Sequence, residues 1–129
     1  MFLTRKFRKV LVVLWAISIL FLSFYPMNKL AVEPRLPYFD KLVHFVLYFV
    51  LSFLVMSSLK STKNNWVLFH VLWSVFAYGL MIEIGQGIFT YYRSTSIFDL
   101  IANFLGCIGA IGIYRTFFCL GKGRISPKD

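Results

Sequence analysis

The chain has 129 residues, enough for one domain, and is 59% hydrophobic and 15% charged, where soluble domains run near 45–50% and 25%. A soluble protein of this length has no interior large enough for that apolar surface, which excludes a water-soluble globule and directs the reading to the bilayer. A formal net charge of +9 raises nucleic acid as a partner class, but the cations do not share one globular face, so no nucleic-acid partner is expected.

Arg5, Lys6, Arg8 and Lys9 precede Val10–Tyr25, sixteen residues without a charge. A basic head before an apolar core also opens a signal peptide. The bulky Ser23-Phe24-Tyr25-Pro26 offers no small-x-small cleavage site, so a retained first helix is expected over about 10–25. That is short for a span of about 20 residues, and Pro26 ends it because proline has no amide hydrogen to give. Met27–Asp40 reads as a loop punctuated by Pro34 and Pro37. Three further apolar segments follow, at about 42–59, 66–89 and 97–120, joined by the polar stretches Lys60–Asn65 and Thr90–Ser96. The tail 121–129 is polar and is expected to be disordered. With no strand signal, and with every backbone group needing an internal partner in lipid, the fold expected is all-α, a single-domain four-helix membrane bundle. Cys107 and Cys119 lie in the last apolar segment without CxxC spacing and read as small apolar fillers.

The charges fix an expected orientation. Ten of the fourteen Lys and Arg residues fall at the end carrying both termini and the Lys60–Asn65 connection. Lys29, Arg35, Lys41 and Arg93 fall at the other, together with Glu33, Asp40, Glu83 and Asp99. The positive-inside rule places both termini in the cytoplasm.

Helix rise then gathers a polar set at one depth. Glu83 lies about 24 Å along a third helix begun at Val67, His44 about 3 Å into the second and Asn103 about 9 Å into the fourth. Asp40, His44 and Tyr48 recur at i, i+4 and i+8, Glu83 and Gln86 at i and i+3, and Ser96, Asp99 and Asn103 stack on one side of the fourth helix. An ionisable group at the centre of hydrocarbon costs about 2.5–3.5 kcal/mol and less near its edge, so these groups should face one another. A polar pocket at the extracytoplasmic mouth is expected. Each piece also has a plainer reading: Ser96-x-x-Asp99 as a capping box, Asp40-Lys41 as an interface ion pair, Glu83 with Arg93 as a stitch between helix and turn. His44 alone is more often a hydrogen-bonding core residue. The plain readings do not explain why a carboxylate, a histidine and an amide share one level on three helices. His70, between Trp66 and Trp73, is assigned to packing or the aromatic belt. Gly106, Gly109, Ala110 and Gly112 let helices approach closely, and a homodimer through them is equally open.

Asp40-Lys41-x-x-His44-Phe45-x-x-Tyr48, Glu83-x-x-Gln86, Arg93 with Asp99, and Asn103-x-x-Gly106 resemble the VanZ-like family of small bacterial membrane proteins. The family takes its name from a protein associated with low-level teicoplanin resistance. The resemblance implies a multi-pass protein of the bacterial cytoplasmic membrane with a role in the cell envelope, and supplies no settled reaction. Two functions stay open. In one, Asp40, Lys41, Tyr48, Gln86, Arg93, Ser96 and Asn103 bind the polar head of a membrane lipid or of a lipid-linked or glycan envelope precursor, Arg93 and Lys41 meeting its phosphate or carboxylate. In the other, His44, Glu83 and Asp99 carry acid–base chemistry on such a molecule. One histidine with two carboxylates is a thin ligand set and no His-x-x-x-His occurs, so no metal and no cofactor is expected.

Overall fold

Four helices account for almost all of the described residues, 3–26, 38–91 and 94–121, of the computed structural model. They are α1 (Arg5–Phe24), α2 (Phe39–Ser58), α3 (Asn65–Phe89) and α4 (Ile97–Gly121). No strand occurs among these residues, and all four helices are long and apolar enough to cross a membrane. The protein is an all-helical, multi-pass membrane bundle.

Two helix starts lie earlier than the hydropathy suggested. α1 begins at Arg5 rather than Val10, because Thr4 caps it by accepting from the Phe7 amide at 3.3 Å and because Arg and Lys are good helix formers. Its 20 residues span about 30 Å, the added turn being the basic one, whose long side chains can reach the interface from the end of the short apolar run. α2 begins at Phe39, so Asp40 lies in its first turn and His44 about 8 Å along it. The loop expected over Met27–Asp40 falls outside the described residues as far as Pro37, as does the tail beyond Gly121.

Side-chain ties give the helix directions. Tyr78 of α3 donates to the Ala16 carbonyl of α1 at 2.6 Å and Gln86 to that of Ser23 at 2.6 Å, so α1 and α3 run parallel. His44 pairs with Asn103 and Tyr114 donates to the Met56 carbonyl, so α2 and α4 run parallel. Tyr48 lies against Gly79 and His44 near Glu83, which sets α2 antiparallel to α3. α2 packs on all three neighbours, most extensively on α4.

Glycine makes that last contact close. A Cβ on Gly106 would collide with the backbone carbonyl of Phe45 and lie 3.0 Å from the Phe49 amide nitrogen. A Cβ on Gly109 would touch the rings of Phe45 and Phe49 at 3.5 Å. These two small residues are used inside the chain, whereas Gly112 has open space before it. Leu51, Met56, Val71, Cys107 and Ala110 form the apolar core below the polar end. Large side chains such as Phe21, Trp66, Met81 and Phe117 point outward, as a bundle bathed in lipid allows.

Candidate functional site

The polar residues of α2, α3 and α4 converge at the end of the bundle where α2 and α4 begin and α3 finishes. His44 is its centre. Its Nδ1 lies 3.0 Å from Oδ1 of Asn103 and 3.8 Å from Oε1 of Glu83. Its Nε2 lies 3.8 Å from Oδ2 of Asp99. One imidazole thus faces groups from two other helices, hydrogen-bonded at one nitrogen and within 3.8 Å of a carboxylate at the other. The shorter contact holds the ring by Nδ1 against Asn103 and turns Nε2 toward Asp99.

Burial makes the arrangement costly to assemble and costly to break. Asn103 is 0% exposed, Glu83 1% and His44 6%. Removing one member of a buried hydrogen-bonded set typically costs about 1–3 kcal/mol, and more where a charge is left behind without water. The outer edge is wetter. Lys41 sets its ammonium 3.3 Å from Asp99 Oδ1 and 3.8 Å from Asp40 Oδ2, and both Lys41 and Asp40 keep more than a third of their side chains exposed. From the open end inward the order is Asp40 and Lys41, then Asp99, then His44, then Glu83 and Asn103.

The helix start at Ser96 is only half of a capping box. Ser96 Oγ accepts from the Asp99 amide at 3.4 Å, as a cap should. The reciprocal bond is made by Glu83, whose Oε2 accepts from the Ser96 amide at 3.3 Å. That substitution leaves the Asp99 carboxylate turned to Lys41 and His44. Glu83 therefore braces the α4 terminus while its other oxygen faces the imidazole. Thr95 adds a second brace, donating to the Glu83 carbonyl at 3.2 Å.

Seven of the sequence-derived candidates, Asp40, Lys41, His44, Glu83, Ser96, Asp99 and Asn103, thus form one connected cluster. Tyr48 lies beneath it, buried, its ring 6.5 Å from that of Tyr78. Gln86 is buried as well, with its amide directed to α1 through the Ser23 carbonyl. Arg93 lies outside the described residues. Gly79 is the contributor that the sequence reading passed over. A Cβ there would lie 2.9 Å from the Tyr48 ring and 3.0 Å from Nδ2 of Asn103, so glycine makes the room in which both side chains sit. It stands four residues before Glu83 on the same helix face, a spacing visible in the sequence. Nδ2 of Asn103 has no hydrogen-bond partner among the described residues, which leaves a buried donor beside the imidazole.

Donor atoms of Asp40, His44 and Asp99 lie within 4.8 Å of one another. Ligands to one zinc ion at about 2.0–2.2 Å are no more than about 4.4 Å apart, a closer approach than the 4.8 Å that bounds this set. Lys41 already supplies a positive charge between the two aspartates. The arrangement sets one imidazole 3.0 Å from an amide oxygen and 3.8 Å from each of two carboxylates, fronted by one ammonium and one exposed carboxylate.

A model of the VanZ/LLP1 family matches residues 3–118, which takes in three helices whole, α4 as far as Phe118, and every residue of the cluster. Neither the curated proteins nor the solved structures compared with the chain give a match.

Proposed function

The chain belongs to the VanZ/LLP1 family, and from that premise we propose that it binds the polar head of a lipid- or glycan-linked envelope component at the mouth of the bundle. The supporting observation is the graded cluster around His44: rim groups Asp40 and Lys41 that water reaches, backed by Asp99 and by groups with almost no exposure. Carboxylates on the rim accept hydroxyls of a sugar or polyol, and the Lys41 ammonium meets phosphate. The buried layer behind them holds Asp99 in place, which is how binding sites keep their first contacts rigid. The site opens away from the cytosol in the bacterial cytoplasmic membrane, under the orientation that the cation count supports. A link to teicoplanin resistance, the property of the protein that gave the family its name, would then act through envelope precursors held at that surface.

The test is native mass spectrometry of protein extracted from its membranes. A copurifying lipid-linked species is expected on the parent and is lost from Lys41→Ala and Asp99→Asn. A parent that carries nothing, or variants that carry as much, would overturn the reading.

The second reading is an intramembrane enzyme on the same molecule. It is favoured by one observation, the 3.0 Å bond that holds the His44 ring with its other nitrogen toward Asp99. In that case Asp99 meets the substrate and His44 relays the proton. Turnover of the identified ligand by the parent, abolished by His44→Gln with binding intact, separates this reading from the first.

A further inference from the structure

The opposite end of the bundle carries a second polar feature that owes nothing to the His44 cluster. A cavity of about 470 Å³ opens between the α2–α3 connection and the last turns of α4, within the range of about 300–1,000 Å³ found for small-molecule sites. Lys60 and Lys63 enter it from the connection, with Ser61 and Thr62 between them, and Arg115 enters from α4. Tyr114 and Phe118, stacked with ring centroids 4.3 Å apart, form an apolar wall. The floor is fixed, since Tyr114 is buried and its hydroxyl donates to the Met56 carbonyl at 3.4 Å.

The charge of this cavity is of one sign. Among the described residues no ion pair involves Lys60, Lys63 or Arg115, and the described carboxylates Asp40, Glu83 and Asp99 all stand at the other end of the bundle. Basic residues at helix ends also serve to orient a membrane protein, but that service needs only charge near the membrane. It does not need cations from two separate segments of chain to converge on one concavity beside an aromatic wall. Three cations facing a shared space repel one another, and a bound anion reverses the sign of that interaction.

We infer that this cavity binds the phosphate head of an anionic phospholipid, Arg115 forking onto its oxygens while Lys60 and Lys63 add point charge. Guanidinium offers a planar pair of donors that matches phosphate, and ammonium a compact charge. A lipid rather than a free anion is the occupant because the cavity lies where four apolar helices leave the hydrocarbon. There Tyr114 and Phe118 can lie along an acyl chain whose phosphate is already at the right level. Basic pockets between transmembrane helices take anionic headgroups in this way.

Full-length protein in a neutral detergent, titrated with phosphatidylglycerol and read by native mass spectrometry, tests the assignment. The expected result is one tight phosphatidylglycerol adduct, with phosphatidylcholine at least about tenfold weaker. The triple variant Lys60→Gln, Lys63→Gln, Arg115→Gln weakens the adduct about tenfold or more. A control that removes three cations from the same end but outside the cavity, Arg5→Gln, Lys6→Gln, Lys9→Gln, leaves the adduct at the parent's level. All the substituted side chains are exposed, and the single variant Arg115→Gln, expected to weaken binding about threefold, serves if the triple variant does not fold. Equal losses from the two triple variants, or no loss from the cavity variants, would overturn the site. Inorganic phosphate displacing the lipid at equal concentration would overturn the lipid as its occupant.

Discussion

Replacing Gly106 by alanine should open the contact between α2 and α4 and disturb the His44 cluster from a position that touches none of its polar atoms. The added Cβ meets the Phe45 carbonyl and the Phe49 amide nitrogen, backbone atoms that no rotamer change can move aside. Carbon–oxygen contacts normally stay near 3.3–3.6 Å, so the helices must part by on the order of 1 Å. Asn103 is one turn before Gly106 and His44 adjoins Phe45, so their 3.0 Å bond lengthens beyond hydrogen-bonding range. Overpacking costs about 1–3 kcal/mol and the lost bond about 0.5–1.5 kcal/mol. The better helix propensity of alanine returns up to about 1 kcal/mol. A net loss of about 1–3 kcal/mol is expected, seen as a lower melting temperature of the detergent-solubilised protein and weaker retention of its copurifying ligand. Gly112→Ala is the matched control: nothing stands within 4 Å of its Cβ, so stability should stay level or rise slightly. Equal stability of the two variants would refute the claim that the α2–α4 approach depends on glycine at 106.

Three other perturbations probe different joints. Tyr78→Phe removes the bond to the Ala16 carbonyl and should cost about 0.5–1.5 kcal/mol without altering ligand retention, as measured by melting and native mass spectrometry on one sample. Gly79→Ala should shift the Tyr48 ring and Asn103 together, lowering ligand retention more than Gly112→Ala does. Because Lys41 bridges Asp40 and Asp99, exhaustive treatment with a chelator should leave ligand retention unchanged. A loss restored by zinc or manganese would show that a cation replaces that ammonium in the working site.

The helical bundle was legible because a run of about 20 apolar residues has few other solutions in lipid. The level of the site was legible too: helix rise alone brought His44, Glu83 and Asn103 together. What the sequence obscured was the division of labour among neighbours. Ser96-x-x-Asp99 reads as a self-contained cap, yet Glu83 makes half of it from another helix, and a local pattern cannot reveal a competitor 13 residues away. The spacing of Gln86 from Glu83 could not show that its amide nitrogen is held by a carbonyl on α1. The start of α1 was hidden because hydropathy marks where charge stops, whereas the helix starts at its cap, Thr4.

The way His44, Glu83 and Asn103 compensate one another also constrains how the protein is made. His44 emerges from the ribosome 59 residues before the asparagine that bonds it, and Glu83 reaches its helix-start partner only once Ser96 has been synthesised. Until the fourth segment arrives, the second and third must wait with bare polar groups, so the insertion machinery has to shelter them from acyl chains and release the spans as a set. A truncation after residue 96 should therefore be retained by membrane quality control and degraded, although three of its four hydrophobic segments are complete.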